Sequence, residues 1–131
     1  MTDKSAQLAL LDAIDRYFET MFDNDLDRFD QVFARTAQLH GLRDGATRVL
    51  PAADYRALMA QTPSPKSKSA PRQQEILSID FASDTQACVK VNVRIDTVLY
   101  LDYLLLHQVD GGWFVTAKSF HVAQRFDTAA A

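Results

Sequence analysis

The stretch VLYLDYLLLHQVDGGWFVTAKSFHV, residues 98–122, contains the pattern that decides the fold. Residues 98–109 are almost wholly apolar, which is typical of a strand covered on both faces. The tripeptide Asp-Gly-Gly at 110–112 is a strong hairpin signal, and residues 113–122 read as the returning strand. The stretch therefore predicts a hairpin of two long antiparallel strands.

Two further strands are predicted immediately before this hairpin. Residues 87–96 alternate cleanly between apolar and polar side chains, with valine at every second position from 89 to 93. Residues 73–82 form an earlier strand, which is expected to present its apolar side chains on one face: Leu77, Ile79 and Phe81.

The N-terminal half contains three predicted helices. Apolar residues recur at helical spacing over residues 4–23, and a shorter stripe covers residues 26–34. Pro51 suits the first position of a third helix, which runs to about residue 61 and is expected to turn three side chains inward: Tyr55, Leu58 and Met59.

Residues 36–43 read as a first strand, and residues 47–50 can pair back with it through the Asp44-Gly45 turn. The order is therefore helices first, then a run of strands. We expect an α+β fold with a curved antiparallel sheet wrapped around three helices, in one domain over residues 1–131.

Composition narrows the class of protein. Of 131 residues 47% are hydrophobic, so a sizeable core can form without disulfides or metals. The net charge of −3 and the pI of about 5.5 disfavour nucleic acid as a partner. We found no signal-peptide pattern and no apolar run long enough to span a bilayer, so we expect a cytoplasmic protein that does not enter membranes.

The single cysteine, Cys88, excludes an internal disulfide and is expected to be a buried, inert thiol, because no local signature of a nucleophile surrounds it. Residues 62–72 contain three of the four prolines and are expected to form an exposed, mobile loop. Its cations Lys66, Lys68 and Arg72 could bind an anion, although a solvated linker is the favoured interpretation.

The hairpin register decides which side chains share a face. A two- or four-residue loop places Asp102 and Tyr100 on one face with Trp113, Ser119 and His121. Asp102 and His121 would then form an acid–base pair, or an ordinary buried hydrogen bond. A three-residue loop would instead move Asp102 to the opposite face.

The remaining histidines, His40 and His107, are not spaced as metal ligands, so we expect no metal. No phosphate-binding glycine loop and no C-x-x-C motif is present, and we expect no cofactor.

The whole chain resembles the nuclear transport factor 2-like superfamily. The resemblance is carried by AIDRYF at residues 13–18, NDLD at 24–27, the segment 33–42, and the hairpin motifs DYLLL, GWFV and KSFH within residues 102–121. The hairpin is particularly similar to the SnoaL-like and putative lumazine-binding branch.

The resemblance implies a cone-shaped sheet with an apolar cavity at its wide end. Relatives include ketosteroid isomerases, scytalone dehydratases, polyketide cyclases, limonene epoxide hydrolases and non-catalytic binding modules. Tyr17 corresponds to the oxyanion-hole tyrosine of the isomerases, although a core helix residue is an equally good interpretation. Gly41, next to His40, stands where those enzymes carry their aspartate base, and Asp102 lies near their second acid.

Two functions follow as hypotheses. The first is a module that binds a small, mostly apolar or aromatic ligand, held by Tyr17, Tyr100, Trp113, Ser119 and His40. The second is a cofactor-independent dehydratase, isomerase or cyclase that uses Asp102 and His121.

A homodimer is also expected. The outer face of strand 98–109 presents large apolar side chains that the three helices cannot also cover: Leu99, Leu101, Tyr103, Leu105 and Val109. Phe114, Phe120 and Val122 should extend this row, with the stem of Lys118 lying over it. Either a second copy or the chain's own loop or C-terminal tail could cover the surface.

Overall fold

The computed structural model describes residues 3–128. Within them, three α-helices and six strands follow one another in this order: α1 (Lys4–Asp23), α2 (Leu26–Val32), β1 (Phe33–Arg43), β2 (Ala46–Pro51), α3 (Ala52–Gln61), β3 (Gln74–Ser83), β4 (Gln86–Ile95), β5 (Val98–Val109) and β6 (Gly112–Arg125). A single 3-10 turn, Lys66–Lys68, lies between α3 and β3.

Capping residues mark the start of α1, the end of α1 and the start of α2. The Asp3 side chain accepts a hydrogen bond from the backbone N–H of Ser5 at the start of α1, and Asn24 adopts a left-handed conformation at its end. Asp25 then accepts from the backbone N–H of Arg28 at 2.9 Å and starts α2. The apolar stripe of α1 is buried against the sheet: Leu10, Ile14, Tyr17, Phe18 and Met21.

The six strands form one mixed sheet in the order β2-β1-β6-β5-β4-β3. The α+β class and the curved sheet against three helices are confirmed. Four neighbouring pairs are antiparallel hairpin partners, as expected, while β1 pairs with β6 in parallel. No hairpin joins β1 to β6, so no local turn dictates their relative direction.

Two predictions of side-chain orientation are wrong. A register shift in β3 lies between Ile76 and Ser78, so that Ile76 packs on the core and Leu77 is exposed, whereas Ile79 and Phe81 keep a common face. In α3, Met59 is buried but Leu58 is 55% exposed.

The segment 62–72 is less exposed than its composition predicts. Pro65 and Ala70 are buried, and the backbone N–H of Ala70 donates to the carbonyl of Pro65 at 2.9 Å. Lys68 and Arg72 form ion pairs at 2.7 Å with Asp96 and Glu19 respectively. Two of its three cations therefore bind carboxylates of this chain.

Over residues 3–128, every helix is too short or too polar to cross a bilayer. Cys88 is half-buried rather than buried, and its thiol is free.

Candidate functional site

The hairpin of β5 and β6 contains a β-bulge that determines which side chains face the interior. The turn has two residues, Asp110 and Gly111, and the predicted register holds as far as the pair Leu106 and Val115. The register then shifts, and Leu105 lies opposite Ala117. The bulge makes the residues of β6 from Ala117 to Val122 exchange faces, and a second register shift, between Leu99 and Tyr100, ends the exchange.

Thr116 is the extra residue of this bulge. Its hydroxyl contacts Nδ1 of His107 at 2.6 Å and donates to the carbonyl oxygen of Leu105 at 3.3 Å. Thr116 has no partner in the register of β5 and β6, but these contacts provide its side chain with hydrogen bonds.

The predicted pair of Asp102 and His121 is wrong for this reason. Asp102 points inward and is 1% exposed, and its cross-strand neighbour is Phe120. His121 lies opposite Leu101 and is exposed on the outer face. The two side chains are separated by the sheet.

The other predicted ligand contacts are distributed over three places. Ser119 and His40 are register partners on β6 and β1, and both are exposed on the outer face. Trp113 is buried in the core, edge-on to Phe81, away from the cavity described below. Tyr100 does line that cavity.

The bulge turns Lys118 inward, although the alternation of the sequence predicts that it points outward. Its Nζ lies 3.5 Å from Oδ2 of Asp102, and the two side chains are 5% and 1% exposed. The hydroxyl of Tyr17 donates to the same oxygen at 2.5 Å. A buried cluster of Tyr17, Asp102 and Lys118 thus joins α1 to β5 and β6.

The ammonium of Lys118 has few oxygen acceptors for its three protons. Besides Asp102, it interacts with the hydroxyl of Tyr55, contacts the sulfur of Met21 at 3.9 Å and lies 5.2 Å from the ring centroids of Tyr17 and Tyr55. Aromatic faces and a thioether stabilise a cation weakly compared with oxygen ligands. Lys118 therefore has one charged partner, Asp102, and otherwise only neutral or weak ones.

Burial and the charges of this cluster fix its protonation. Burial, followed by the negative charge of Asp102, raises the pKa of Tyr17 well above 10.0. Burial by itself lowers the pKa of Lys118, but Asp102 and Tyr55 more than offset this, so its pKa lies above the ordinary 10.5. Near neutral pH, Tyr17 is a neutral donor and Lys118 is a cation.

A cavity of about 520 Å³ opens beside Lys118. Its inner wall is apolar and aromatic and includes Met21, Leu39, Tyr55, Tyr100, Phe120 and Val122. Tyr100 meets Phe120 edge-on, with ring centroids 6.4 Å apart. Three arginines also line the cavity, and because they are exposed we place them at its mouth: Arg43, Arg48 and Arg125.

The isomerase-like roles implied by the resemblance do not fit this geometry. The hydroxyl of Tyr17 is bound to Asp102 and does not face the cavity. At the base position, a Cβ on Gly41 would overlap the ring of Phe120. Glycine is needed there so that Phe120 can lie against the backbone and form the cavity wall.

A second depression of about 380 Å³ lies between α2, β1 and α3. Its charged lining residues include Arg56 and Asp30, which pair with each other at 2.8 Å on the surface. The buried ionic cluster lies at the larger cavity, which is therefore the candidate site.

Among residues 3–128, no group of three or more His, Cys, Asp or Glu side chains is placed to bind a metal ion.

Sequence reasoning missed Lys118 as a site residue. A lysine between Ala117 and Ser119 in an alternating strand is usually assigned to the solvent face, and only the bulge reverses this. Tyr55 was expected to face inward, but its contact with a buried ammonium had no sequence signal.

Comparison with solved structures confirms the fold. A protein of unknown function from Silicibacter pomeroyi, described as NTF-2 like, superposes with a TM-score of 0.81 at 17% identity, covering 93% of this chain and 99% of that one. An NTF2-like protein of unknown function from Shewanella baltica gives 0.77 at 20% identity, with 92% and 96% covered. A third, from Methylobacillus flagellatus, gives 0.74 at 18% identity, with 92% and 94% covered.

No curated protein matches the sequence. The model of one family does match, over residues 5–121, and its description is "Putative lumazine-binding". This match spans both the helices and the hairpin that contains Asp102 and Lys118. The chain belongs to this family, and its fold is that of the NTF2-like proteins with which it superposes.

Proposed function

We propose that the protein binds a small, mostly apolar or aromatic molecule in the 520 Å³ cavity. The observation that carries the proposal is the position of Lys118: a buried ammonium, with Asp102 as its one charged partner, at the wall of a cavity whose inner part is apolar and aromatic. A ligand oxygen beside Nζ would give the ammonium a stronger partner than the sulfur of Met21 and the tyrosine rings provide.

The cost of the ionic cluster supports this interpretation. Burying a lysine and an aspartate is expensive, and apolar residues of similar volume often stabilise a fold as well or better. Oδ1 of Asp102 also has no hydrogen-bond partner among the described residues. Binding of a ligand through Lys118 would explain why the protein has this cluster, whereas a contribution to stability would not.

Acid–base catalysis is less well supported than binding. The proposed pair of Asp102 and His121 does not form. The raised pKa values of Tyr17 and Lys118 leave neither group ready to accept a proton near neutrality. We therefore favour a binding module over the enzyme hypothesis.

The test uses phenyl-naphthylamine, a neutral aromatic dye that fluoresces in apolar surroundings. We expect saturable binding of one dye per chain, strongly weakened by Val122→Trp, which places an indole ring in the cavity. Leu8→Trp is the matched control, because Leu8 is 54% exposed on α1 and does not line the cavity. The proposal fails if the dye does not bind, or if Val122→Trp binds it as well as the wild type.

A further inference from the structure

The cavity mouth is positively charged although the chain is acidic. The lining includes four cations, Arg43, Arg48, Lys118 and Arg125, and one carboxylate, Asp96. The net charge of the whole chain is −3. A cleft of one sign on a protein of the other sign concentrates ions of the opposite charge at its entrance.

The arginines of this mouth are not neutralised by the protein. Within residues 3–128, Arg43, Arg48 and Arg125 take part in no ion pair or side-chain hydrogen bond. The one carboxylate of the lining, Asp96, already binds Lys68 at 2.7 Å. Like charges around one opening repel each other, and a bound anion would relieve this repulsion.

The arginines come from separate elements that meet only in the folded protein. Arg43 ends β1, Arg48 lies in β2, and Arg125 ends β6. Their side chains are exposed, so they keep their hydration until a ligand arrives. Guanidinium groups are well suited to binding carboxylate, sulfonate or phosphate oxygens.

The inner end of the cavity has a different preference. Lys118 is already balanced by Asp102, so a second carboxylate placed there would leave an excess negative charge in a buried site. A neutral oxygen, such as a carbonyl or hydroxyl, can accept from Nζ without this cost. The two ends of the cavity thus favour different groups on one ligand.

We propose that the ligand is an amphipathic organic anion. Its acidic group lies at the mouth between Arg43, Arg48 and Arg125, its apolar or aromatic body fills the cavity, and a neutral oxygen reaches Lys118. This inference rests on the proposed function and adds the charge and orientation of the ligand.

Two dyes distinguish the proposed binding of an apolar molecule from the proposal that the ligand is an anion. Anilinonaphthalene sulfonate has the skeleton of phenyl-naphthylamine plus one sulfonate. Both are titrated against the wild type and against the triple variant Arg43→Gln, Arg48→Gln, Arg125→Gln. Exposed ion pairs each contribute a factor of a few, so we expect the triple variant to weaken the sulfonate dye about tenfold or more. Affinity for the neutral dye should stay within about twofold, which also shows that the variant is folded.

Arg35→Gln is the matched control, because Arg35 is exposed on β1 but does not line this cavity. It should leave both affinities unchanged. Equal weakening of both dyes in the triple variant, or of neither, would overturn the anion proposal while leaving the cavity as an apolar binding site. If neither dye binds the wild type, the proposed function fails and the inference fails with it.

Discussion

Each face of the β5–β6 hairpin includes residues that are usually found on the other face. The inner face holds the ion pair of Asp102 and Lys118, which are 1% and 4% exposed. The outer face presents Tyr103 and Leu105, which are 44% and 43% exposed. A sheet that only had to be stable in water would place these residues the other way round.

The contrast indicates that neither face is explained by folding alone. Charge inside the fold costs desolvation energy, and the positions of Lys118 and Asp102 beside a cavity suggest a ligand as the reason. Apolar side chains outside the fold suggest a second protein surface. Changes on the inner face should therefore alter stability and ligand binding, and changes on the outer face should alter assembly.

The largest effect is expected from breaking the inner pair. Asp102→Ala leaves the ammonium of Lys118 buried without a counter-charge, which should lower the free energy of unfolding by about 3–5 kcal/mol. Urea denaturation followed by circular dichroism measures it. Asp80→Ala, an exposed aspartate on β3, is the control and should change it by no more than about 0.5 kcal/mol. A loss for Asp102→Ala as small as the control's would mean that the pair is not buried as described.

Replacing the whole cluster should be far milder than breaking it. The triple variant Tyr17→Phe, Asp102→Leu, Lys118→Met removes all three polar groups together and leaves none unpaired. Its free energy of unfolding should return to within about 1–2 kcal/mol of the wild type, or exceed it. Stability far below that of Asp102→Ala would show that the cluster is retained for folding and would contradict its assignment to ligand binding.

Much of this molecule could be predicted from the sequence, because regular periodicity records which face of an element is buried. The valines of β4 and the apolar stripe of α1 lie as their spacing indicates. The site could not be predicted, because one extra residue, Thr116, reverses the faces on which Lys118, Phe120 and His121 lie. This insertion has no local signature in the sequence. Pro65 likewise reads as a loop residue, although the fold buries it beside the cavity.

The outer face should mediate a homodimer, which we propose on the exposure of Tyr103 and Leu105. Phe120 and Val122 do not extend this row, because both line the cavity, and Lys118 does not cover it. The segment through Pro65 lies at the cavity, so it cannot lie over the outer face. The C-terminal end, as far as it is described, packs elsewhere: the ring of Phe126 lies under the guanidinium of Arg94.

Sedimentation equilibrium at micromolar concentration should give twice the chain mass of 14.7 kDa. Leu105→Lys should return it to the chain mass, while the circular dichroism spectrum is unchanged. The matched variant Leu42→Lys, at a position 71% exposed on β1 and lining the cavity instead, should remain dimeric. A wild-type monomer would refute the dimer.

Alkaline pH should produce a smaller, graded loss of stability. The pKa of Tyr17 is raised in the folded protein, so the unfolded chain loses this proton first, and stability falls as the pH rises through 10.0. The raised pKa of Lys118 stabilises the fold below 10.5, and that contribution is lost as the pH rises through its folded value. The cluster-replacing triple variant should show a shallower decline above pH 10 than the wild type. Identical slopes would contradict these assignments.

A crystal structure of the protein with anilinonaphthalene sulfonate compares the two faces most directly. The dye binds accessible apolar surfaces in general. Its position in the crystal therefore shows whether the cavity or the outer face of the hairpin binds it better. We expect the rings to lie against Tyr100 and Phe120, with the sulfonate at Arg43, Arg48 and Arg125. Dye bound only against Tyr103 and Leu105, with none in the cavity, would contradict the assignment of the inner face to ligand binding.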